Sequence, residues 1–251
     1  MIPRFATLSD TAEVNRICGH PEVRAWSASD GSGPFDAGRW LDPKAQAMVV
    51  LVEGGCFLAN GVGSQTYQVH THILPEARGA TALVNAGLAL MLAFLGSDAE
   101  TFVTAVAENN LRAKWFTRAM GFRPMFVQPA KWLHRGKMWD LTHYSLGVDD
   151  WILQGQLAPI GKSFHEQLES LGHLPHGEDH AHDCYVGAAV AFISAGKPHK
   201  AAKIYNRWAR AAGYVPLDIV FSNPLVIDVR EFTIRVEAGQ VKFYIKEKAN
   251  A

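Results

Sequence analysis

The side chains best suited to acid–base chemistry in this chain lie close together. His70 and His72 alternate with Val69, Thr71 and Ile73 along residues 66–74. A period of two places both imidazoles on one face of a strand, with Gln68 and Leu74, and leaves Tyr67, Val69, Thr71 and Ile73 on the other. An imidazole titrates near neutrality and can take the proton of an ammonium group. His70 and His72 are therefore candidate catalytic residues; the alternative is that both are ordinary members of a half-buried sheet. The next residues, Pro75-Glu76-Ala77-Arg78-Gly79, break the strand, and an Ala- and Leu-rich segment follows over 80–95. A strand that turns into a helix in this way presents unpaired backbone N–H groups and the positive end of the helix dipole, which together suit an anion.

A second dense group is His173, His176, Asp179, His180, His182, Asp183 and Cys184. These are zinc-ligand types, but their spacing matches no zinc pattern, so no metal is assigned. Asp179 or Asp183 reads equally well as a helix cap. Trp132 and Trp139 flank Lys131, His134, Arg135 and Lys137, which reads as a solvated hairpin loop rather than a stacking surface. Lys plus Arg (24) equals Asp plus Glu (24), so neither nucleic acid nor a membrane is expected as partner. Three scattered cysteines make no disulfide framework and point to a reducing compartment. The first residues lack the apolar run of a signal peptide, so the expected location is cytoplasmic, or a virion if a virus encodes the chain.

The elements that must hold these residues follow from pattern. Residues 5–7 read as a short strand, and Ser9 or Asp10 as the cap of a helix carrying Val14 and Ile17. Residues 20–43 are rich in Gly, Ser, Asp and Pro, with Trp26, Phe35 and Trp40 as aromatics of an ordered loop closed over something. Residues 48–52 and 56–60 flank Glu53-Gly54-Gly55 and predict a hairpin. Residues 101–107 predict a strand, and Asn109-Asn110 a helix cap with Gly121 ending that helix. Two further strands follow at 122–127 and 138–146. This mixed α/β order gives a domain over 1–147. A linker is expected at about 147–162, then a smaller α+β region over 163–251, with a helical hairpin at 184–212 and a β-hairpin at 225–246. The helical hairpin resembles one tetratricopeptide-like unit. With no second copy it must dock on its own domain, on a protein partner or on another copy.

Two stretches carry a family resemblance. HTHILPEARGATALVNAGLALML holds Pro75, Arg78 and Gly79, and NNLRAKWFTRAMGF holds Asn110, Ala113, Gly121 and Phe122. Together, in this order, they resemble the GNAT superfamily of N-acetyltransferases over residues 1–146. The resemblance implies a GNAT-like acyl-CoA acyltransferase fold. It implies acetyl-CoA as cofactor, bound by Ile73, Leu74, Arg78, Gly79, Ala80, Thr81 and Asn110, and His70 or His72 as general base. It also shows departures. Thr81 and Leu83 stand where the family's phosphate turn has small residues, and Thr117 stands where many members carry the tyrosine that protonates the leaving thiolate.

Two functions follow. One is transfer of an acetyl group from acetyl-CoA to the primary amine of a small molecule or protein, entering through the aromatic loop. The other is a catalytically inactive GNAT-fold structural or assembly protein, similar to those of tailed-phage virions.

Overall fold

The computed structural model describes residues 2–170, 179–214, 216, 218–220, 225–228, 232–237 and 240–245. The chain divides into two compact units, Met1–Asp150 and Trp151–Ala251.

The first unit is built on the alternating stretches. Its strands are β1 (Arg4–Phe5), β2 (Ala47–Val52), β3 (Gly55–Gly63), β4 (Thr66–Ile73), β5 (Thr101–Ala107), β6 (Arg123–His134) and β7 (Lys137–Gly147). They form one sheet in the order β1-β2-β3-β4-β5-β7-β6. Every pairing is antiparallel except β4 with β5. Glu53 and Gly54 make the tight turn between β2 and β3, as the Gly-Gly signal predicts.

Alternation gives the sheet two covered faces. On one lie α1 (Thr11–Gly19), α2 (Pro21–Ser27) and the short α3 (Gly38–Leu41). Val14, Ile17, Cys18, Val23 and Leu41 pack there against Val49, Leu51, Cys56, Leu58 and Leu74, with Phe35 and Trp40 along the margin. Asp10 does not cap α1 with its side chain. Its carboxylate turns back instead to the Thr7 N–H (2.8 Å) and to Arg4, whose cation holds it well below the usual carboxylate range. On the other face lie α4 (Ala80–Gly96) and α5 (Leu111–Ala119). Phe94 of α4 meets Phe102 of β5 edge-on at 4.6 Å.

The strands of the last hairpin run further than their pattern suggests. Trp132 pairs with Trp139 and His134 with Lys137, so the expected basic loop is mostly ladder. Trp26 stacks on His134 at 5.3 Å, and Asp30 accepts from the Arg135 and Gly136 N–H groups at 3.0 and 2.7 Å. Tertiary docking of the 28–33 loop extends the strands beyond what local composition favours.

In the second stretch of chain, α6 (Val148–Ile152), α7 (Ala158–Ser170), α8 (His180–Ser194) and α9 (Pro198–Ala212) precede β8 (Asp218–Val220), β9 (Leu225–Asp228), β10 (Phe232–Glu237) and β11 (Gln240–Ile245). These strands form an antiparallel sheet ordered β11-β10-β9-β8, so the hairpin read at 225–246 is part of a larger sheet. Residues 147–162, read as a linker, are largely helical, because Val148, Trp151, Ile152 and Leu157 are buried apolar residues that a free linker would expose. Asp179 caps α8, accepting from Ala181 N–H at 2.9 Å and from the Tyr214 hydroxyl at 2.7 Å. Asp183 pairs with His165 at 2.6 Å, and His182 stacks on Tyr214 at 4.4 Å. His173 and His176 lie outside the described residues. Among the described residues no three His, Cys, Asp or Glu side chains converge as a metal site, and no helix is long and apolar enough to cross a membrane.

Candidate active site at the parting of two strands

Strands β4 and β5 are parallel neighbours only at their starts. Thr66, Tyr67 and Gln68 register with Thr101, Phe102 and Val103, and the pairing stops there. From Val69 and Thr104 onward the two strands have no ladder between them. A parting inside a sheet leaves strand backbone groups available to a ligand, as an outer edge does. On the α4 and α5 face this parting ends in a cavity of about 20 Å³, room for about one water. Val69, Thr71, Thr104, Phe116 and Thr117 are among its walls. Thr117 is itself buried.

The turn after β4 is held by the neighbouring hairpin. Leu74 donates its N–H to the Gly54 carbonyl at 2.8 Å, and its carbonyl accepts from Ala77. Gly54 sits at φ +65°, and a Cβ there would come within 2.3 Å of the Ala77 Cβ. The hairpin turn and the strand-to-helix turn therefore fit together only with glycine at this position. Gly79 follows at φ 114° and ψ −154°, a conformation essentially confined to glycine. The space in front of it is open: a Cβ at this position would meet nothing within 4 Å. Ala80 and Thr81, the first residues of α4, are exposed. Their location at the start of a long helix leaves early N–H groups directed outward. The Arg78 guanidinium reaches back to the Ile73 carbonyl (3.4 Å) and forms an ion pair with Glu22 of α2 at 3.2 Å.

His70 and His72 share the opposite face of β4, across from Leu58 and Cys56 of β3. Trp40 meets the His70 ring edge-on at 6.1 Å, and Phe35 lies 6.3 Å from the His72 ring. The aromatic loop closes over this pair. Burial lowers the pKa of His70. Burial, aided by His70, pushes that of His72 down to about 4. Both are thus neutral at pH 7. His72 is buried with Nδ1 unpartnered, whereas His70 is half-buried. A base with a pKa near 4 holds a proton poorly, so His70 is the better acceptor of the two.

The sequence candidates are not equivalent in space. Residues 70–81 are contiguous around the end of β4. Both backbone groups of Leu74 are engaged within the fold, and its side chain is buried. Asn110 stands across the parting, where its Oδ1 caps α5 by accepting from the Ala113 N–H at 3.1 Å. Two residues had no sequence signal. Glu22 reaches Arg78 from a helix distant in sequence. Tyr144 of β7, registered with Thr104, is fully buried, and its hydroxyl has no hydrogen-bond partner among the described residues.

No protein-family model matches the chain, and no curated protein matches it in sequence. Solved structures do resemble it. A ribosomal-protein-alanine N-acetyltransferase from Brucella melitensis is similar with a TM-score of 0.51 at 15% identity, over 59% of this chain and 99% of that one. A spermidine N-acetyltransferase from Vibrio cholerae, solved with CoA and spermine, is similar with a TM-score of 0.50 at 14% identity, over 60% of this chain and 96% of that one. At such low identity the likeness speaks for the fold. With the seven-stranded sheet, the parting of β4 from β5 and the glycine turn between β4 and α4, it identifies the fold of this protein as that of the GNAT acyltransferases.

Proposed function

We propose that the protein is an N-acyltransferase that moves an acetyl group from acetyl-CoA to a primary amine. The observation that carries this reading is the open glycine turn at Gly79, placed where β4 has parted from β5 and directly after the strand bearing His70. The fit of the cofactor can be judged from the residues present. Apart from its chain neighbours, nothing lies within 4 Å of where a Gly79 Cβ would stand, and the exposed start of α4 offers N–H donors at Ala80 and Thr81. Acetyl-CoA would supply the activated acetyl group as a thioester. Arg78, Gly79, Ala80 and Thr81 would hold its pyrophosphate, and the backbone of β4 unpaired with β5, as far as Ile73 once Arg78 turns from its carbonyl, would receive its extended arm. Asn110 caps α5 through its Oδ1 on the opposite wall, and its side-chain amide would face the cofactor from there.

On the other face, His70 would take the proton of the incoming ammonium. Its depressed pKa keeps it unprotonated at neutral pH, as an acceptor must be. Trp40 and Phe35 flank the two imidazoles on this side, with ring centroids 6.1 Å from His70 and 6.3 Å from His72. Thr117 is a buried alcohol with no useful acidity and protonates nothing, so the leaving thiolate takes its proton from water.

A second reading, a GNAT scaffold without the chemistry, is favoured by the small cavity at the parting and by the engagement of Arg78 with Glu22. Thermal melting separates the two. Millimolar acetyl-CoA raises the melting temperature of an active donor site, because a ligand of the native state stabilises it by mass action. Arg78→Glu abolishes that rise. Release of free thiol from acetyl-CoA in the presence of polyamine or peptide amines then reports turnover. No rise at saturation supports the scaffold.

A further inference from the structure

We infer that Glu22 is an internal competitor for the donor anion, a specificity-determining residue that holds Arg78 until a polyanionic ligand displaces it; this rests on the proposed donor turn. Arg78 is the sole cation of that turn, and its guanidinium NH1 lies 3.2 Å from Glu22 Oε2. Both side chains are substantially exposed, at 40% and 63%, so the pair can open without structural cost. Arg78 is further oriented by the Ile73 carbonyl at the end of β4. The carboxylate thus occupies the charge that an incoming pyrophosphate needs.

The consequence is selectivity by charge. A neutral thioester, such as an acetylated pantetheine fragment, gains nothing from Arg78 and leaves the pair closed. A pyrophosphate-bearing donor offers more negative charge than one carboxylate and wins the guanidinium.

Calorimetric titration of the full chain tests this with acetyl-CoA and with inorganic pyrophosphate. Glu22→Gln, at an exposed position, tightens acetyl-CoA binding about fivefold, the scale of releasing Arg78 from one surface ion pair. It leaves acetylated pantetheine unchanged. On an Arg78→Gln background the gain disappears, because the two substitutions act through one contact. If wild type and Glu22→Gln bind acetyl-CoA within about twofold of each other, or if the gain survives Arg78→Gln, Glu22 is not the competitor and the donor site stands without it. If neither protein binds acetyl-CoA or pyrophosphate, the donor turn itself is refuted, and this inference with it.

Discussion

Two regions around the end of β4 contrast in almost every physical respect. On the histidine face, His72 is 6% exposed, neutral, covered by Phe35 and missing a partner for Nδ1. At the turn after β4, Gly79, Ala80 and Thr81 are exposed, and Arg78 is charged and paired. Burial controls the first region and backbone geometry the second. Acid–base tuning needs a low-dielectric surrounding, whereas anion capture needs exposed N–H groups and an unobstructed approach. One strand borders both settings because its two faces and its end meet different environments.

The joint between the regions should be the most sensitive point. Gly54→Val adds a branched side chain at a positive φ and drives it into Ala77. The expected loss is about 3 kcal/mol or more of unfolding free energy in urea. A loss below about 1 kcal/mol would mean that the hairpin and the turn are not locked together.

The histidine face should announce itself through pH. His72 has a folded pKa of about 4 against an ordinary 6.5, so below pH 6.5 the unfolded chain binds a proton that the folded chain does not. Stability is therefore complete above pH 6.5 and is lost as pH falls toward 4, by about 2 kcal/mol between pH 7 and pH 5. His70 titrates in the same direction. Urea midpoints at the two pH values give the wild-type loss, and His72→Leu should remove most of it. An unchanged pH slope in that variant would place the titration elsewhere.

At the turn after β4, Gly79→Ala meets open space, so only backbone strain opposes it. The cost should be about 1–2 kcal/mol, the range for a residue forced into a glycine-only conformation. Acetyl-CoA binding should weaken as the turn relaxes. A fully stable variant with unchanged binding would show that the turn tolerates another conformation. The smallest effect is expected at Tyr144→Phe, which removes a buried hydroxyl with no hydrogen-bond partner among the described residues. Stability should change by no more than about 0.5 kcal/mol, or rise slightly, in the same urea assay. A loss near 2 kcal/mol would reveal a partner for that hydroxyl, such as a bound water.

Much of this was legible in the residues themselves. Period-two alternation placed His70 and His72 together and Val69 and Thr71 opposite, since a strand allows no other arrangement. Asn110 announced a helix start, and Asp179 was one of two readings for another, with Asp183, because short polar side chains satisfy free N–H groups locally. The Gly-Gly hairpin and the turn after β4 were readable for the same reason: each depends on a few adjacent dihedrals. The extent of β6 and β7 was not, since Trp132 and His134 are held in strand by docking with Trp26 and Asp30 from far along the chain. The helical content of 147–162 was also hidden, because Gly and Pro there suggest a link while the buried Val148, Trp151 and Leu157 decide the packing.

The sequence by itself therefore determined which residues face together and where backbone groups are left free, because both depend on local periodicity and capping. Tertiary structure alone decided the state of those residues. It buried His72 deeply enough to keep it neutral, committed Leu74 to the Gly54 carbonyl, and brought Glu22 to Arg78. Burial, dielectric and pairing are set by whatever the rest of the chain packs around a side chain, and no local pattern encodes that.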